Sequence, residues 1–479
     1  MKPQVFLTSA ELSPDRASLC TRNARAAGQG TSETQALQPS APLPQDPTSP
    51  CTHNPGSRDK ALARFGLGQA VSGWFGMVRE DSLSRMGEVQ ELRDQVEALI
   101  RRWHVYEVDR GGRPVIDFDC SPDRAPRRYR PVESRLEVYQ ELTRLRATAA
   151  EIGSGARQIG EVIRAHRAYA GALLGRRDPL YTYLRDTQGC DAEGWPEEHI
   201  LQVRDLAVKA LEGLGVRWGR DLNRDLLALE QPITGEEAAE LIPAAARSLE
   251  PVVRELVRST AKYSVRVQPD DVDDFWAYWL DGAGQDVRLR INQRYATFTM
   301  VQVRQFALHE LLGHALQYAS YTQVCAEDPD VPWVRLMSVN LPYQFMLEGL
   351  AQALPLFVTP SDAALVARVR LAHYLQLVRG ELHLAVNAGV PLIECANHAR
   401  ARVPYWTDAT ISDTLTERSA NPLLRSYLWS YPAGLDWWAA LADSADDQAR
   451  DRVLQAVYRR PLSPVQLERL AGQATSALK

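Results

Sequence analysis

Apolar residues recur at intervals of three and four along most of the chain after residue 89, the period of helices that bury one face. Val89-Gln90-Glu91-Leu92-Arg93 opens this pattern, which continues through Ile100. Leu136, Val138, Tyr139, Leu142, Leu145 and Ala149 form one stripe; Ile200, Val203, Leu206, Ala207, Ala210 and Leu214 form another. Ile242-Pro243 reads as the start of a further helix, since proline is tolerated in a first turn, where its missing N–H has no partner to lose. A long helical pattern also runs from about Ala363 to Val386. Tyr278 to Ile291 reads instead as a strand or hairpin, with Gly282-Ala283-Gly284 as the turn and Asn292 at the end. The expected fold is mostly α, with a small β-hairpin or sheet.

From Thr31 to Arg58 the chain is rich in Ser, Thr, Pro, Gln and Ala, a composition with too little apolar surface to offset the entropy of ordering. Residues 1–76 are therefore expected to be a disordered extension, with Met77 or Met86 as candidate true starts of translation. The remainder divides into an expected helical subdomain at 77–270 and a second at 271–479.

The second part carries the informative chemistry. His309-Glu310-Leu311-Leu312-Gly313-His314 places a carboxylate between two imidazoles. Zinc accepts such donors and, in catalytic sites, keeps one position open for water. In the usual zinc helix the histidines stand four residues apart; here they stand five apart, which on an ideal α-helix leaves them roughly 140° from each other. A π-bulge would restore a common face, and such bulges favour functional sites. Gly313 reads as the residue that permits the distortion. A third ligand is required, and Glu348 is the candidate, an isolated carboxylate in the apolar stretch Phe345 to Leu354 that needs a cation nearby if buried. Glu310 is the natural proton acceptor for an activated water.

His309 to Gln317, followed by Glu348-Gly349-Leu350-Ala351, resembles a bacterial family of zinc hydrolases known as domain of unknown function 885, whose members carry a His-Glu…Gly-His-His-x-Gln helix and a later Glu-Gly-Trp-Ala helix. Val287–Asn292 looks like that family's strand ending in asparagine. Val386–Val390 and Tyr427–Pro432 look like its Val-Asp-Thr-Gly-Ile and Tyr-Ile-Ala-Trp-Pro elements, so the resemblance spans roughly residues 280–445. It implies a helical metallopeptidase-like fold, with His309, His314 and Glu348 as zinc ligands and Glu310 as general base. His-Glu-Leu-Leu-Gly-His is also the string found in dipeptidyl peptidase III, although the pattern carrying that enzyme's third ligand is absent here. Ala315 replaces the second of the family's paired histidines. Pro391 stands in place of another histidine, and Ala433, Gly434 and Ala439 stand near its Gly, Gln and Lys. The metal ligands thus match the family while substrate-facing positions depart from it.

Hydrolysis also needs a donor for the developing oxyanion. Tyr431 is the first candidate, with Tyr427 and Arg425 behind it, and Asn292 is a candidate hydrogen-bond partner for a substrate amide. The expected function is zinc-dependent cleavage of a peptide or small amide. The alternatives are a zinc lyase or isomerase acting on a small molecule, or an inactive scaffold that binds metal and peptide. Among the other histidines, only His383 reads as a candidate for lining the cleft.

Composition narrows the partners. A net charge of −5 argues against binding nucleic acid or an anionic membrane surface. Six cysteines without paired spacing imply neither a zinc finger nor a disulfide framework, so a reducing, cytoplasmic setting is expected. The sequence contains no internal repeat, apolar run of membrane-spanning length, signal-peptide pattern or phosphate-cradling glycine loop.

Overall fold

The computed structural model describes residues 71–124, 130–271, 278–294, 296–444 and 446–476. The first 70 residues, most of the stretch expected to be disordered, lie outside these, and residues 71–76 belong to the first helix, Val71–Asp109. Among the described residues, those from Arg85 onward form one compact unit and residues 71–84 belong to a separate one. The main core of the larger unit draws on residues from Val89 to Leu467, so the boundary expected at residue 270 does not divide it.

Helices dominate, and their buried faces refine the stripes read from sequence. On Arg135–Ile152 the buried residues are Val138, Leu142, Leu145 and Ala149, at intervals of four, three and four. Leu136 is 52% exposed, because two helical steps from Val138 carry it off that face. On Glu197–Glu212 the stripe continues to Leu211, and Leu206 is left exposed. The helix expected to start at Ile242-Pro243 instead spans Gly235–Val257, with Pro243 in its interior. Thr234 sets the true start through a capping box: its hydroxyl accepts the Glu237 N–H at 3.1 Å, while the Glu237 carboxylate accepts the Thr234 N–H at 2.7 Å.

Seven short strands are described: β1 (Phe118–Asp119), β2 (Pro232–Ile233), β3 (Ser264–Asp270), β4 (Tyr278–Ala283), β5 (Asp286–Asn292), β6 (Phe298–Thr299) and β7 (Leu336–Met337). Five form a mixed sheet in the order β3-β5-β4-β1-β7, and β2 pairs with β6. The expected hairpin is β4–β5, in register from Tyr278 opposite Ile291 to Ala283 opposite Asp286. Its turn is Gly284-Gln285, later than the expected Gly282-Ala283-Gly284. Gly284 supplies the positive φ of 63° that a two-residue hairpin turn requires. Gly282 is a strand residue kept small by the Asp286 carbonyl and the Phe118 ring, where a Cβ would fall.

The sheet packs beside the helical run 300–327. Tyr278 and Phe306 rings lie 4.7 Å apart, and Phe118 stacks on Tyr318 at 4.7 Å. A second core, with Ile200, Val203, Ala207 and Leu211 on one side, forms around the long helix Ala363–Asn387.

Candidate metal centre

The run 300–327 begins with a second capping box, Thr299 with Gln302, whose threonine hydroxyl also donates to Glu230 at 2.7 Å. From Ala307 to Ala315 the run takes up π geometry and then returns to α-helix at Leu316. The Leu316 N–H accordingly bonds the Leu311 carbonyl, five residues back. The distortion therefore covers two turns, more than the single bulge expected, and brings the two imidazoles of His309 and His314 together with Nε2 atoms 3.3 Å apart.

Gly313 has a role beyond permitting that geometry. A Cβ there would lie 2.9 Å from the Leu308 carbonyl oxygen and 3.0 Å from the Ala351 Cβ, so its absence lets the helix Gln344–Val358 approach. That helix carries Glu348, whose Oε2 stands 3.5 Å from His309 Nε2 and 3.6 Å from His314 Nε2. Gly349 is pressed in turn against helix Ser430–Ser444: a Cβ on it would meet the Gly434 backbone at 2.5 Å. Gly434 is therefore a packing position in this chain, which accounts for the small residue there.

These separations test whether the residues suit zinc. Two donor atoms bound at 2.0–2.1 Å to one tetrahedral ion lie about 3.4 Å apart. The three observed pairs, at 3.3, 3.5 and 3.6 Å, match that spacing. All three residues are at least 95% buried, and Glu348 Oε2 has no hydrogen-bond partner. The donor set and its geometry fit a zinc ion.

A second grouping, His199, His373 and Asp436, was not singled out in the sequence. Asp436 Oδ1 lies 2.7 Å from His199 Nε2 and 2.8 Å from His373 Nε2, while the Trp195 indole donates to Oδ2 at 2.9 Å. Such short contacts are those of hydrogen bonds, which already account for both carboxylate oxygens.

Glu310 is almost fully buried, and neither carboxylate oxygen has a hydrogen-bond partner. Its Oε1 stands 3.9 Å from His309 Nε2. Burial raises its pKa, against the lowering influence of His309 and His314. Glu348 behaves oppositely: burial acts to raise its pKa, but the two imidazoles hold it well below the usual carboxylate range.

Tyr427 makes the short hydrogen bond to the Glu348 carboxylate. Its hydroxyl donates to Glu348 Oε1 at 2.6 Å and lies 2.6 Å from the Tyr431 hydroxyl. Because Tyr427 has one proton, already given to Glu348, Tyr431 is the donor in the second bond. Arg425 turns elsewhere, bonding Asn387 Oδ1 at 2.6 Å and the Asp178 carbonyl at 3.0 Å. Asn292 is fully buried at the end of β5, with its side-chain oxygen accepting the Arg294 N–H at 3.3 Å in a turn of the kind asparagine favours. His383 is sealed against Trp429 in the interior, with ring centroids 5.7 Å apart.

Beside the candidate ligands opens a small cavity lined by Asp117, His314, Tyr318, Gln344 and Glu348, with Leu280 and Val339 as apolar walls. Asp117 was missed in the sequence, because the alternation of Ile116-Asp117-Phe118-Asp119 reads as acids on the face opposite the apolar residues, ordinarily the one toward solvent.

No protein-family model and no curated protein matches the sequence. Among solved structures, a putative lipoprotein from Colwellia psychrerythraea aligns over 72% of this chain with a TM-score of 0.45 and 14% identity. The alignment spans 61% of that protein's length.

Proposed function

We propose that this chain is a zinc-dependent hydrolase that cleaves a peptide or small amide. The observation that carries the reading is the convergence of His309 Nε2, His314 Nε2 and Glu348 Oε2 at the separations of zinc ligands, beside a buried carboxylate with two unpartnered oxygens. Zinc held there would supply a Lewis acid that polarises a carbonyl and acidifies water. Glu310 takes the water's proton and passes it to the leaving nitrogen; the upward shift that burial gives its pKa suits a group that must hold a proton between the two steps. Tyr427 fixes the orientation of Glu348, and Tyr431 is the candidate donor to the oxyanion, released from Tyr427 when substrate arrives.

Kinship with the zinc-hydrolase family resembled in sequence is part of this proposal. It rests on motifs in matching order across residues 280–445. The cytoplasm is the proposed location, supported by Cys120, Cys190 and Cys395, which stand outside any disulfide. None of the described helices is long and apolar enough to cross a membrane.

Elemental analysis and peptidase assays test the function together. Wild type should hold about one zinc per chain, Glu348→Ala should lose it, and Glu310→Gln should keep it while turnover falls about 10²–10⁴-fold. Lack of zinc in wild type supplied with the metal would sink the proposal. Turnover without ¹⁸O uptake from labelled water would replace hydrolysis with lyase or isomerase chemistry.

A further inference from the structure

The cavity beside the ligands contains an unmet electrostatic demand. Asp117 precedes β1, where its N–H donates to the Met337 carbonyl at 2.9 Å and the strand is held between β4 and β7. The residue as a whole is half-buried, yet its Oδ2 is sealed from solvent and has no hydrogen-bond partner. Leaving a buried carboxylate oxygen unpaired is costly, so the site is built for a donor that arrives from outside.

No lysine or arginine lines this cavity, so the fold supplies no cation of its own to Asp117 there. Burial opposes ionisation of this carboxyl and the Val339 amide favours it. A cation seated against Oδ2 would favour it further. The free space in the cavity is about 20 Å³, enough for one water-sized group. An ammonium has that size.

Resting on the zinc-hydrolase reading above, we propose that Asp117 receives the free amino group of the substrate, so that the enzyme acts on amino-terminal residues or aminoacyl amides. His314 and Glu348 line the same small cavity as Asp117, so an ammonium held by Asp117 stands beside the proposed metal ligands. Internal peptide bonds and N-acylated substrates carry no such ammonium, and the wall formed by Leu280 and Val339 has no donor side chain to replace it.

Calorimetric titration of the zinc-loaded full-length protein tests this without requiring turnover. The probes are glycine hydroxamate and N-acetylglycine hydroxamate, which share the metal-chelating group and differ in the amine. Wild type should bind the free-amine probe about tenfold or more tightly than the acetylated one, the range of one charge-assisted hydrogen bond. Asp117→Asn should erase that preference while leaving zinc content and affinity for the acetylated probe unchanged. Equal affinities in wild type overturn the inference, as does a preference that survives in Asp117→Asn or zinc-loaded protein that binds neither probe. Zinc measured on the same samples separates the two readings: metal present without amine preference removes only Asp117's role, whereas no metal removes the hydrolase as well. The wild-type comparison decides the question even if the variant fails to fold.

Discussion

Glu348 divides its two oxygens between tasks: Oε2 faces both imidazoles and Oε1 takes the Tyr427 hydroxyl at 2.6 Å. Groups that hold a metal ligand in place commonly govern affinity nearly as strongly as the ligand itself. Tyr427→Phe should therefore weaken zinc binding about ten- to a hundredfold in chelator competition. Tyr431→Phe removes the donor to Tyr427 and should change affinity far less and act on turnover. Equal losses in both variants would mean the two hydroxyls serve zinc as a unit and would remove the separate role given to Tyr431. The grouping of His309, His314 and Glu348 was legible in the sequence because the two histidines are local to one another and Glu348 stood alone in an apolar stretch. Tyr427 and Asp117 were not singled out as contacts because each reaches the centre from a distant segment, 79 residues away in the case of Tyr427 and Glu348. The aromatic stretch around Tyr427 is locally indistinguishable from ordinary core packing.

At the scale of elements, the π segment depends on neighbours that no local pattern discloses. The five-residue histidine spacing predicts the distortion but does not identify what sustains it. Tyr458, which follows helix Asp447–Val457, donates its hydroxyl to the Leu312 carbonyl at 2.6 Å, inside the distorted turns. Gln317 and Tyr321 reach back from the same run to the Val457 carbonyl at 2.9 and 2.6 Å. All these groups are buried, so a carbonyl that loses its donor has no water to replace it. Tyr458→Phe keeps the ring and removes that donor. It should cost about 1–3 kcal/mol by urea denaturation, with zinc affinity falling alongside because His309 and His314 share the segment. An unchanged denaturation midpoint would show that Leu312 does not rely on Tyr458. Similar reasoning explains the Pro243 misreading: Thr234 and Glu237 displayed the capping signal well upstream, but proline drew the boundary to itself.

Across the whole molecule, Asp436 joins the second core to the helix that bears Tyr431. Its carboxylate bonds His199 on helix Glu197–Glu212 and His373 on the long helix Ala363–Asn387, and Trp195 occupies the remaining oxygen. Burial tends to raise its pKa, but the hydrogen bonds and charges of His373 and His199 outweigh this and hold it below the ordinary value. An unfolded aspartate takes up its proton near pH 3.9, whereas the folded one does so only at lower pH. The unfolded state consequently binds more protons in that interval, and stability falls as pH drops through it. Above about pH 5 the contribution is complete, and Asp436→Asn should be less stable than wild type by about 1–2 kcal/mol, a figure reduced for the partial exposure of the pair. As pH falls below about 4 the two proteins should begin to converge, completely only once the folded carboxylate itself is protonated, which removes from wild type what the substitution removed from the variant. Thermal denaturation followed from pH 7 to pH 3 would display this convergence, and curves that stay parallel would show that the carboxylate does not titrate differently on folding. The bonds of the Asp436 carboxylate go to His199, His373 and Trp195, and to none of His309, His314, Glu348 and Tyr427. Zinc content at neutral pH should therefore survive Asp436→Asn even where stability does not, separating the latch between helices from the centre they surround.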